Sequence, residues 1–192
     1  MMMCFNQLSS VAITENNDLI VFGFNSNAEC GISNGVDSSD DKIRVISKPM
    51  IHPYFKENNI KIISVDCGRY HTICSDINGN CYGYGDKLAI GYGDIDLGAL
   101  FVPFKINLKE KIVQFSCGDS HSIFIGVNNN VIVCGDNEYC QCSAALSEKS
   151  KLRLPYIWNK SQELETKQNV FVEKVYGCDQ STMIAINPYK RC

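Results

Sequence analysis

Two cysteine–histidine pairs offer the most reactive chemistry in this sequence. Cys67 stands four residues before His71, and Cys117 four before His121. A thiol close to an imidazole is the pairing of a cysteine nucleophile with its base. A second group, Cys134, Cys140 and Cys142, gathers thiols closely enough to invite a metal. Neither chemistry survives inspection of the pattern. The first pair recurs fifty residues on in the same setting, as Cys67-Gly68-Arg69-Tyr70-His71-Thr72-Ile73 and Cys117-Gly118-Asp119-Ser120-His121-Ser122-Ile123. A catalytic site is rarely duplicated once per structural unit, whereas a recurring buried imidazole must find a hydrogen-bond partner each time. A zinc site wants paired ligands at spacings such as C-x₂₋₄-C with a matching second half. No Cys-x-x-Cys occurs in the chain. Gly68, His71, Gly118 and His121 are therefore read as structural residues at the joins between units. No catalytic residue, metal or cofactor is expected.

The elements that carry these residues form a tandem repeat. Each clean copy continues through a turn into a second apolar run ending in glycine, Asn80 to Gly85 and Asn130 to Gly135. The runs His121 to Val127 and Val131 to Gly135 are short, β-branched and bounded by turn residues, which marks strands. Asn78-Gly79 signals a type I′ hairpin, and Asn16-Asn17 and Asn128-Asn129 hold the matching places. Further strands are expected at Lys61 to Asp66, Lys111 to Ser116 and Val170 to Tyr176. The chain is read as opening inside a degraded copy, with Ser9 at the histidine place and Phe5-Asn6 at the Cys-Gly place. Near the end, Gly177-Cys178 inverts the pair and Ser181 replaces histidine. Units of two to four strands cannot bury their own faces, so neighbours must stack, which favours a propeller of four-stranded blades.

The full repeat resembles that of the regulator of chromosome condensation (RCC1) family. The pattern is Cys/Ala-Gly, His-Ser, an apolar run, an aromatic-Gly and a loop of the form Asn-x-x-Gly-Gln-Leu-Gly. Gly135 to Ser143 and Gly23 to Gly31 resemble that loop, with Gly85 to Gly91 a shortened version. The resemblance implies a β-propeller, and members act on small GTPases or chromatin or serve as scaffolds. The expected fold is all-β, a partial or small propeller of about three to four RCC1-like blades. The boundaries are set at about 1–62, 63–112, 113–171 and a partial 172–192, forming a single domain. Closed propellers need about 4–8 blades. Self-association to complete a ring is one expectation, and zipping of the first and last partial repeats into one blade is another.

Composition narrows the function. Apolar residues make up 45% and net charge is −3. Without a run of basic residues, nucleic acid is not the expected partner. No apolar run reaches the ~20 residues of a membrane span. The start, Met1 to Cys4, lacks the pattern of a secretory signal, so the expected location is intracellular, cytoplasm or nucleus. The eleven cysteines then read as core thiols rather than disulfides. Asn34 to Lys48 reads as an exposed polar loop. Ser147 to Gln168 reads as a rim insertion with a helical turn at Lys160 to Lys167. Tyr156 and Trp158 there are read either as partner-binding anchors or as edge packing. The leading function is a non-catalytic scaffold binding a protein partner through rim loops. The alternative, implied by the resemblance, is guanine-nucleotide exchange or regulation of a Ran-like small GTPase.

Overall fold

The computed structural model describes residues 2–5, 8–33, 44–93, 98–163 and 170–187. Their strands assemble into four antiparallel sheets laid out in chain order. The first blade holds β1 (Met2–Phe5), β2 (Ser9–Ile13), β3 (Leu19–Phe24) and β4 (Val45–Ile51). The second holds β5 (Ile62–Cys67), β6 (His71–Asp76), β7 (Cys81–Asp86) and β8 (Ala99–Lys105). The third holds β9 (Ile112–Cys117), β10 (His121–Gly126), β11 (Val131–Asp136) and β12 (Lys151–Ile157). The fourth is a ribbon of β13 (Phe171–Cys178) and β14 (Ser181–Asn187). The first strands of successive blades lie against one another, β1 on β5, β5 on β9 and β9 on β13. Short helices α1 (Pro53–Glu57) and α2 (Lys160–Glu163) sit in the links to the second and fourth blades. This is the all-β blade architecture that the repeat implied.

The core is divided into slabs between blades. Val11, Leu19, Val21 and Phe55 pack with Val65 and Tyr84 across the first seam. Ile73 and Ile90 pack with Phe115, Phe124 and Ile132 across the second. Ile123, Val133 and Leu152 pack with Val172 and Val175 across the third. A blade therefore buries its faces only by leaning on its neighbour, as expected for units too thin to hold a core alone.

Met2–Phe5 is paired with the second strand of the first blade, Met2 lying opposite Ile13. Four expectations change. Among the described residues the first and last repeats do not zip together, because each forms its own sheet. The hairpins are not type I′. Only their last residue is left-handed, Asn17 at φ 61°, Gly79 at φ 71° and Asn129 at φ 61°. Gly79 N–H bonds Asp76 C=O at 3.0 Å, and Asp76 N–H bonds Asn80 C=O at 3.0 Å. That is a three-residue loop with its left-handed residue last. Of the polar segment Asn34 to Lys48, residues 34–43 lie outside the described residues, while Val45 to Lys48 belong to β4. In the rim insertion, Lys151–Ile157 is a strand and the helical turn is Lys160–Glu163. Residues 164–169 lie outside the described residues.

Candidate functional site

The residues singled out by the repeat converge on the seams. His71 and His121 begin the second strands of their blades and are fully buried. His71 Nε2 lies 3.0 Å from Ser122 Oγ in the next blade. Ser122 Oγ in turn donates to the Ala89 carbonyl at 2.8 Å. A hydroxyl whose proton is committed to a carbonyl accepts from the ring, so Nε2 of His71 carries the proton. One seam further, His121 Nε2 lies 3.0 Å from Thr182 Oγ1. At the first seam Ser9 occupies the histidine place, and Thr72 Oγ1 donates to the Glu29 carbonyl at 3.0 Å. The loop after each third strand thus offers a carbonyl to the hydroxyl of the following blade at the first two seams.

The glycines are there for the histidines. A Cβ on Gly68 would fall 2.0 Å from His71 Cε1, and one on Gly118 would fall 2.0 Å from His121 Cε1. Real carbons do not approach so closely, and Cys-Gly-x-x-His reads as one steric unit. The fourth blade agrees with this reading from the opposite side. Its histidine is gone, Ser181 standing in its place, and Cys178 occupies the glycine place without an imidazole to meet. Gly177 replaces the preceding cysteine, where a Cβ would lie 2.5 Å from the Cys117 carbonyl carbon.

The charge state of the pairs is opposite to that of a nucleophilic Cys–His dyad. Burial, with a smaller contribution from His121, pulls His71 down to about 3. Burial likewise lowers His121. The neighbouring Cys4 thiol, followed by burial, pushes Cys67 well above its ordinary value. Burial does the same to Cys117, with Asp66 adding to it. A neutral imidazole and a protonated thiol neither generate nor stabilise a thiolate. The three candidate metal thiols diverge: Cys134 and Cys142 are buried and Cys140 is exposed. Cys142 Sγ donates to the Cys134 and Asp136 carbonyls at 3.5 and 3.2 Å. Burial raises both buried thiols, and a protonated thiol is a poor ligand.

Several seam residues escaped the sequence. Asp66 Oδ2 accepts Ser116 Oγ at 2.8 Å and Cys117 N–H at 2.9 Å across the second seam. Its repeat-equivalents share no residue type, and nothing in the pattern marks it. Asn25 and Asn137, both fully buried, organise the two long loops. Asn25 Oδ1 accepts Cys30 N–H at 3.0 Å, and Asn137 Oδ1 accepts Cys142 N–H at 3.0 Å. The shared Gly-x-Asn start of those loops was the signal. Asn129 clamps the fourth blade, its side chain bonding Val172 C=O at 2.8 Å and Val172 N–H at 3.0 Å. Trp158 packs on the third core slab and donates Nε1–H to the Cys142 carbonyl at 2.7 Å. Tyr156 is half-buried on β12 and lines a cleft beside Pro155.

Known proteins resemble this chain in sequence repeat and in fold. Models of the regulator of chromosome condensation (RCC1) repeat match residues 16–75, 78–125 and 112–141. The mouse regulator of chromosome condensation is 32% identical over 90 residues, 46% of this chain and 20% of that protein. The human X-linked retinitis pigmentosa GTPase regulator is 31% identical over 131 residues, 67% of this chain and 12% of that protein. Among solved structures, human WBSCR16 superposes with a TM-score of 0.79 at 15% identity, covering 97% of this chain and 45% of that one. Prp20p of Saccharomyces cerevisiae, described together with its binding properties to Gsp1p and histones, gives 0.74 at 21% identity, with 96% and 43% covered. The chain spans a fifth or less of these two relatives and under half of either solved structure. The repeat match, the blades and the histidine seams together make the chain a member of the regulator of chromosome condensation (RCC1) repeat family.

Proposed function

We propose that this chain is a non-catalytic interaction module that engages a protein partner through the loops at its rims. One observation carries the reading. His71 and His121, which carry the pattern of a reactive pair, are bonded from blade to blade and held neutral by burial. What faces solvent is loop and strand edge, the usual place for recognition on a rigid scaffold. Gly68, His71, Gly118 and His121 keep the blades in register, and Tyr156 contributes contact surface. Trp158 supports it from beneath by holding the Cys142 loop.

A second reading, guanine-nucleotide exchange or regulation of a Ran-like GTPase, is favoured by the relatives. One is named a GTPase regulator, and Prp20p is described with its binding to Gsp1p. Exchange works by binding the nucleotide-free GTPase and needs no acid–base residue. Release of a fluorescent guanine nucleotide from a Ran-type GTPase separates the two. The module reading expects no acceleration at substoichiometric amounts of the chain. Turnover-like acceleration would replace it with exchange.

A further inference from the structure

The link from β8 to β9 gathers three lysines that the sequence spreads between apolar residues. Lys105, Lys109 and Lys111 are exposed and rim a cleft of about 530 Å³ whose floor includes Gly79, Ile106 and Leu108. The equivalent place one repeat earlier is charge-balanced: Lys61 Nζ meets Asp18 Oδ1 at 2.7 Å. Here Asn80 stands where Asp18 stood, and Lys111 Nζ meets its Oδ1 at 2.6 Å. Among the described residues the ammonium has a dipole for a partner and no carboxylate within ion-pair distance. The carboxylate in the cleft wall, Glu110, is engaged on the next blade, accepting Asn130 Nδ2–H at 2.7 Å and Asn128 N–H at 3.1 Å. Lys109 is itself left-handed at φ 60°, where the preceding link has Asn59 at φ 52°. Asparagine tolerates that backbone and lysine is a poorer choice for it. Strain kept at a solvent-facing charged residue points to a use for the side chain. A second cleft of about 280 Å³ shares Asn107, Leu108 and Lys109 with the first and is also lined by Pro155, Tyr156 and Ile157.

We propose that these adjoining clefts dock an extended acidic peptide segment of a protein partner. Its carboxylates sit among Lys105, Lys109 and Lys111, and a neighbouring apolar side chain lies against Pro155 and Tyr156. The proposal rests on the interaction-module reading and assigns it a surface and a ligand class. Charge complementarity supplies recognition, and the apolar anchor adds affinity at a site partly shielded from water.

The test uses fluorescence anisotropy of a labelled octapeptide of four glutamates followed by Leu-Phe and two glycines, with the full chain. Binding is expected to saturate, and to weaken several-fold between about 50 and 300 mM salt. Lys105→Glu with Lys109→Glu is expected to raise Kd at least about tenfold. Lys105→Arg with Lys109→Arg should retain binding, and Lys61→Glu should leave it unchanged. Tyr156→Ala should weaken the Leu-Phe peptide several-fold and leave a version with alanines in those places unaffected. Unchanged melting of the lysine variants, whose side chains are exposed, separates loss of the site from loss of the fold. No saturable binding, binding indifferent to the double reversal, or a uridine-rich RNA oligonucleotide binding more tightly than the peptide would overturn the proposal. Those outcomes leave the nucleotide-release result untouched, so failure of the cleft and failure of the module reading remain distinguishable.

Discussion

At the seam between the second and third blades, His71 meets a serine that is fully buried and itself anchored to the Ala89 carbonyl. At the seam between the third and fourth blades, His121 meets Thr182 on a two-stranded ribbon, and that threonine is only partly buried. The histidines are the same, their glycines are equally close, and their immediate partners are both hydroxyls. What differs, among the described residues, is whether the partner hydroxyl is held from behind. A hydrogen bond contributes most where both groups are desolvated and fixed, so the middle seam should be the stiffer of the two. The comparison teaches that a repeat motif specifies a contact, while the sheet behind it sets what the contact contributes.

The largest test of that comparison is Gly68→Ala. The added methyl must displace both the His71 ring and the Gly118 carbonyl of the next blade, since it would sit 2.0 Å from Cε1 and 2.4 Å from that oxygen. A loss of about 3 kcal/mol in urea unfolding is expected. Adding His71→Ser, which reproduces the pairing found in the fourth blade, should recover part of it, so that the two changes cost less together than their sum. Strict additivity would break the steric unit. Next, His71→Ala should cost about 2–3 kcal/mol and His121→Ala about 1 kcal/mol. Equal losses would show that the backing of the partner does not matter.

Acid titration sharpens the same point. His71 is held down to about 3 and His52, buried against Phe55 and Tyr84, to about 4. Both lie below the ordinary value of about 6.5, so the unfolded chain binds their protons more readily. The folded state should keep its full stability above about pH 6.5 and lose it steadily as pH falls toward 4. By pH 5 the loss should be on the order of 1–2 kcal/mol per buried imidazole. His71→Ala should flatten that slope, and an unaltered slope would mean that His71 titrates normally. The smallest effect is Asn17→Gly, expected within about 0.5 kcal/mol of neutral, because glycine occupies the left-handed turn at φ 61° without strain.

Much of this was legible in the residues. A period carried by Cys-Gly-x-x-His, two apolar runs and a glycine can be read directly, because the motif glycine meets the histidine of its own copy and the histidine meets the residue after the histidine place in the next. The glycine–histidine coupling was visible as a co-occurrence: copies two and three carry both residues, the first and last neither. The turn type was not legible, because Asn-Gly leaves open whether one or two residues take the left-handed conformation, and strand register decides. Asp66 and the lysine cleft were hidden for a different reason. Asp66 bonds residues fifty positions away, and Lys105, Lys109 and Lys111 never form a run. Their significance comes from Asn80 replacing Asp18 one repeat later, a substitution that matters only once the two hairpins are superposed.

The most direct measurement is a double-mutant cycle on His71→Ala and Ser122→Ala, read by urea unfolding of the four proteins. If blades are locked to one another by this pair, the cycle should return a coupling of about 1 kcal/mol or more. A coupling indistinguishable from zero would mean that the imidazole merely fills space, and would contradict the seam as the element that holds the arc together.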